Sequence, residues 1–104
     1  MAELTVIARL KARPGKEAEL EQALRGAVGP THAETGCLRY ALHRSTDDPA
    51  TFVMVERWVS REALDQHLEA PHLKAIRARF KALVEARDVG IYDLLPEGKA
   101  EKRL

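Results

Sequence analysis

Apolar and polar residues alternate from residue 3 to 12. In ELTVIARLKA, Leu4, Val6, Ala8 and Leu10 fall on one side, with Thr5, Ile7, Arg9 and Lys11 on the other. That period of two predicts a strand. Arg13-Pro14-Gly15 reads as a turn. From Lys16 the period lengthens: Leu20, Ala23, Leu24, Ala27 and Val28 recur at helical spacing, opposite Glu17, Glu21 and Arg25. An amphipathic helix is expected there. Gly29-Pro30 is expected to end or kink it, and Thr35-Gly36 to close the connection.

Alternation returns in residues 37–46, CLRYALHRST, where Leu38, Tyr40 and Leu42 share a face. Asp47-Asp48-Pro49 is a turn, so this strand and the next, residues 51–59, form a hairpin. Ser60 is a good N-cap for the helix that follows. Pro71 suits the first turn of a last helix, whose stripe is Leu73, Ile76, Phe80, Leu83 and Val84. A fourth strand is expected near 88–95, ending at Pro96. Residues 1–96 then form one domain and 97–104 a charged tail.

The order β-α-β-β-α-α-β predicts an α+β fold of the ferredoxin-like, split βαβ type: a four-stranded antiparallel sheet with helices on one face. The third strand adds a condition. Phe52, Val53, Met54 and Val55 are apolar at both parities, as in a sheet buried on both sides. Helices cover one face only. A second copy of the chain, packed sheet to sheet, is the expected cover, with Arg39 and Arg57 at the contact; a monomer would expose an apolar patch.

Composition narrows the function classes. A chain of 104 residues buries roughly 65% of its unfolded surface, enough for one core. No 18-residue apolar run is present, so no membrane span is expected. The first ten residues lack a basic region followed by an apolar block, which points to a cytoplasmic protein. The net charge of +1 argues against nucleic acid as a partner. Arg77, Arg79, Lys81 and Arg87 read as a solvated helix face. Cys37 is the single cysteine, so an internal disulfide is excluded.

The candidate chemistry clusters in residues 51–76. Glu56 and Trp58 share a strand face with Phe52 and Met54. His67 lies beside the apolar stripe of its helix, and His72 flanks the stripe of the next. Each histidine is either a satisfied core residue or an acid-base group. Glu56 is either a structural ion-pair member or the carboxylate that orients an imidazole and raises its basicity. Trp58, Tyr40 and Tyr92 are either packing groups or donors to a ligand in an apolar pocket. His67 and His72 stand five apart across a proline, unlike a helical zinc pair, so no metal site is expected. Phosphate-binding glycine motifs and a nucleophile elbow are absent.

The segments ARLKARPGKEAELEQAL, THAETGCLRYALHRSTDDPATFVMVERW and ALDQHLEAPHLKAI resemble the antibiotic biosynthesis monooxygenase family, in particular its small quinol monooxygenase-like members. The likeness runs from residue 4 to about 95. It implies a dimeric α+β barrel, and oxygenation of a small aromatic or quinol-like substrate by O2 with no cofactor. It also implies His67 or His72 as base, Glu56 orienting it, and Trp58 and Tyr40 donating to substrate oxygens. Haem-degrading relatives use an asparagine, a tryptophan and a histidine. This chain has no asparagine, and Ala8, His67 and Arg77 align with those three positions. Haem degradation and asparagine-dependent anthrone oxidation are therefore set aside. The expectation is a cofactor-independent monooxygenase of a quinol or polyphenol. The alternatives are a dimeric non-catalytic binder of small hydrophobic ligands and a phospho-sugar isomerase. The last needs cations at the pocket, and the sequence offers no obvious basic cluster there.

Overall fold

The computed structural model describes residues 2–104. Four strands, β1 (Leu4–Ala12), β2 (Cys37–Arg44), β3 (Thr51–Trp58) and β4 (Val84–Tyr92), form one antiparallel sheet in the order β2-β3-β1-β4. The helices are α1 (Glu17–His32), α2 (Arg61–Glu69), α3 (Pro71–Arg77) and the single turn α4 (Phe80–Leu83). This is the ferredoxin-like α+β arrangement. Its element order follows from the alternating and helical periods of the chain.

Helix α1 buries Leu20, Leu24, Ala27 and Thr31, one face at helical spacing. It does not end at Gly29-Pro30 but runs on to His32. Pro30 lacks the N–H that would bond Gly26 O, but the helix closes beyond it, with the Ala33 N–H bonded to Gly29 O at 3.2 Å. Helix α2 starts where expected, with Ser60 Oγ accepting from the Ala63 N–H at 3.1 Å. The single last helix of the sequence reading is two. At Ala78-Arg79 the backbone tightens, and the Arg79 N–H bonds to Ile76 O, three residues back. The fourth strand also starts earlier than expected, at Val84, because that residue pairs with Ala12 across a register shift in β1.

Two apolar clusters fill the space between sheet and helices. One gathers Leu10, Leu20, Leu24, Phe52, Leu73 and Ile76; the other gathers Leu4, Val6, Tyr40, Met54, Trp58 and Leu64. The opposite face of the sheet carries a transverse line of Ala41, Val55, Ile7 and Gly90, paired residue to residue. Ile7 is exposed there and Val55 half-buried. Arg57 on this face is buried, its guanidinium bonded to Thr5 Oγ1 and Glu3 of its own chain. No helix among the described residues is long and apolar enough to cross a membrane.

Candidate functional site

A cavity of about 100 Å³ lies at the seam between the two clusters. Leu10, Leu24, Leu73 and Ile76 wall it from one, Tyr40 and Met54 from the other. Its titratable lining groups include Glu56 and His67, and Arg77 and Arg87 line it as well. An apolar hollow with a few convergent polar groups is the usual form of a small-molecule site. A benzene-sized ligand occupies a hole of about 150 Å³ elsewhere. Here a ring therefore enters only if rim side chains such as Leu68, which is exposed, give way. A larger depression, about 630 Å³, runs along β2 and is lined by Glu21, Arg25 and Arg44. It is an open groove whose charges pair with one another, and neither His67 nor Glu56 lines it.

His67 is the centre of the site. Leu64 and His67 are the buried residues of α2, so the imidazole points into the core with 1% of its surface exposed. Nδ1 lies 2.7 Å from Glu34 Oε2, and the Trp58 and Tyr40 rings pack on the imidazole at centroid distances of 4.5 and 5.4 Å. A carboxylate only accepts, so Nδ1 carries the proton and Nε2 the lone pair. Nε2 makes no hydrogen bond to a described residue, and the ring lines the cavity. Burial pushes His67 below the ordinary imidazole range. Glu34 opposes that shift, while the charges of His72 and Arg77 add to it.

Glu34 was not singled out as a functional residue by the sequence reading. It sits in the loop between α1 and β2, and the same oxygen lies 2.8 Å from His72 Nε2. The loop reaches α2 because Gly36 has no side chain. A Cβ at Gly36 would overlap the Cβ of Ala63 and press on Val59. Gly36 O also accepts from the Val59 N–H at 3.0 Å. The signal for Glu34 was present in the E-x-G-C run, Glu34 to Cys37. The carboxylate that touches the imidazoles is thus Glu34 rather than Glu56. Glu34, His67 and His72 present three ligand atoms within 4.8 Å of one another. That donor set is one a transition metal takes, and it could hold a metal ion.

Glu56 faces the cavity from β3 and is 5% exposed. Its Oε1 accepts from the Trp58 indole N–H at 2.9 Å. Burial raises its carboxyl to about 7, the Trp58 bond lowers it, and the nearby Glu34 charge raises it further. Tyr40 is pushed up as well, first by burial and then by the Glu56 charge, which keeps its hydroxyl protonated as a donor.

Of the six residues picked from sequence, Tyr40, Glu56 and His67 line the cavity. His72 stands behind His67 and reaches it through Glu34. Trp58 is fully buried, its N–H donates to Glu56, and it is not among the residues that line the cavity. Tyr92 is elsewhere. It pairs with Thr5 on the sheet face away from the helices, half exposed, with its ring folded over Gly90. The strand period assigns that face once the β1–β4 register is known. The basic stretch is also corrected. Arg79, Lys81 and Arg87 are exposed, as a solvated face requires, but Arg87 lies on β4 rather than a helix, and Arg77 and Arg87 also line the cavity.

The model of the antibiotic biosynthesis monooxygenase family matches residues 3–79. "Putative monooxygenase Rv0793" of Mycobacterium tuberculosis is 38% identical over 97 residues, covering 93% of this chain and 94% of that protein. "Probable quinol monooxygenase YgiN" of Escherichia coli K12 is 33% identical over 99 residues, covering 85% and 94%. The crystal structure of PA3566 from Pseudomonas aeruginosa superposes with a TM-score of 0.88 at 35% identity, covering 91% of this chain and 96% of that one.

Proposed function

Because the chain belongs to the antibiotic biosynthesis monooxygenase family, we propose that it oxygenates a small quinol or polyphenol with O2 in the cavity lined by Tyr40, Glu56 and His67. The observation that carries this reading is the Glu34–His67 hydrogen bond, which fixes a neutral imidazole with its free nitrogen beside an apolar hollow. Such a base removes a phenolic proton. The phenolate then transfers one electron to O2, and the resulting radical pair joins as a carbon–oxygen bond. Protonation of the peroxide breaks the O–O bond and releases water. In sum, a dihydroxybenzene and O2 become a hydroxyquinone and water. The substrate supplies every electron. The protein removes and returns protons and keeps bulk water out. Glu56, protonated in part near neutrality, and the Tyr40 hydroxyl are the donors to substrate and peroxide oxygens.

The proposal includes a homodimer joined through the open sheet face. Its support is the apolar line through Ile7 and Val55, which no helix of the protomer covers. A second reading has one observation in its favour. Arg77 and Arg87 line the cavity, and an isomerase acting on a phosphorylated sugar needs cations there.

The test is O2 uptake with a panel of quinols, run under air and under argon, for the wild type and His67→Ala. Expected is uptake with one O2 consumed per quinol, lost in the variant. Turnover of a phosphorylated sugar under argon, with no uptake on any quinol, would establish the isomerase instead.

A further inference from the structure

Two arginines, Arg77 and Arg87, line a cavity whose walls are otherwise mostly apolar. Arg77, at the end of α3, donates from Nη2 to Leu68 O at 2.7 Å. Arg87, on β4, lies over the Phe80 ring at 5.4 Å from its centroid. Neither forms an ion pair with a described residue. Both also line a second, outer hollow of about 410 Å³, shared with Phe80, Lys81 and Glu85. The inner and outer hollows therefore meet at Arg77, Phe80 and Arg87. Strand register sets their place. Arg87 pairs with Leu10 of β1, and Glu56 pairs with Val6. The backbone positions of Arg87 and Glu56 are four strand residues, roughly 13 Å, apart, while both side chains reach the same hollow. The cationic rim and the acid-base groups thus lie at different levels along the strands.

Resting on the oxygenase reading of this same cavity, we propose that the substrate carries a carboxylate, held by Arg77 and Arg87 while its hydroxylated ring lies toward His67 and Glu56. A guanidinium pairs with a carboxylate through two parallel hydrogen bonds. Stacking on Phe80 restrains Arg87 before the ligand arrives, so less freedom is lost on binding. The anion remains at the rim, where water still reaches it, and only the ring enters the dry interior. The 100 Å³ hollow takes nothing larger than the ring, and takes that once rim side chains such as Leu68 give way. Fixing the ring by a group remote from the reacting oxygen also sets which hydroxyl meets the imidazole.

Calorimetric titration under argon tests this with 2,5-dihydroxybenzoate, its methyl ester and 4-hydroxyphenyl phosphate. The acid is expected to bind about tenfold tighter than the ester, with a preference that shrinks as salt rises. Arg77→Gln/Arg87→Gln should bind acid and ester alike, with the ester's affinity within about twofold of wild type. Arg87→Lys should recover part of the preference. Thermal melts confirm that each variant is folded. Equal binding of acid and ester by the wild type overturns the proposal. So does a preference that survives in the double variant, or the absence of binding by any of the three. Tighter binding of the phosphate by tenfold or more overturns it in favour of a phosphorylated ligand. Tight, arginine-dependent binding of the acid without O2 uptake in air sinks the oxygenase reading and leaves the carboxylate subsite standing.

Discussion

Glu34 Oε2 lies 2.7 Å from His67 Nδ1, joining a loop to a helix 33 residues further along the chain. The bond selects the tautomer of His67, and its charge favours the imidazolium that forms when the base takes a proton. In Glu34→Gln the charge is lost. The rate of O2 uptake should fall by roughly ten- to a hundredfold at pH 7.5. Glu34 raises the His67 pKa, so its removal should also move the acid limb of the pH–rate profile to lower pH. A rate loss with an unmoved limb would count against this role.

Glu56 predicts a stability effect of definite sign. Its carboxyl titrates near 7 in the folded chain against an ordinary 4.5. The native state therefore holds a proton that the unfolded state has released. The stability tied to that proton is complete below pH 4.5 and is lost as pH rises through 7. Glu56→Gln keeps an acceptor for the Trp58 N–H and lacks this loss. Between pH 4.5 and 8 the variant should gain about 2–3 kcal/mol relative to wild type, measured by urea unfolding. In Trp58→Phe the bond that lowers Glu56 is gone, and the Glu56 titration followed by carboxyl NMR should move above 7.

Gly36→Ala tests the seat of the Glu34 loop. The added methyl collides with Ala63 and Val59, so the loop must lift away from α2. A destabilisation of about 1–3 kcal/mol is expected, with Glu34 drawn off His67 and a loss of rate like that of Glu34→Gln. An unchanged unfolding midpoint would show that the loop has slack.

The homodimer proposal has its own check. Sedimentation equilibrium at micromolar concentration should give twice the chain mass for the wild type. Ile7→Glu, at the centre of the open sheet face, should give the single-chain mass. A wild type that sediments as one chain would refute the dimer.

The fold was legible because periods of 2 and 3.6 are local. Leu4 to Leu10 alternate, Leu20 to Val28 recur as a helix, and the turns at Pro14-Gly15 and Asp47-Asp48-Pro49 divide them. His67 was legible for the same reason, since its spacing from Leu64 put it on a buried helix face. Local pattern was weaker at the ends of elements. Helix α1 ran past Pro30, and the α3–α4 stripe was divided by a tightened turn.

What the chain's own order of residues determined was the set of elements, their buried faces and the group of side chains able to do acid-base work. Tertiary structure decided which of those side chains meet. Glu34 is a polar residue in a loop, and no period marks it; only the approach of Gly36 to Ala63 carries it to the imidazoles. Tyr92 and Arg87 lie on opposite faces of one strand, and the register of β4 against β1 sent the first to the open face and the second to the cavity. Register and loop seating depend on contacts between residues far apart in the chain. Local spacing therefore predicts what each element buries, and long-range packing selects its partners.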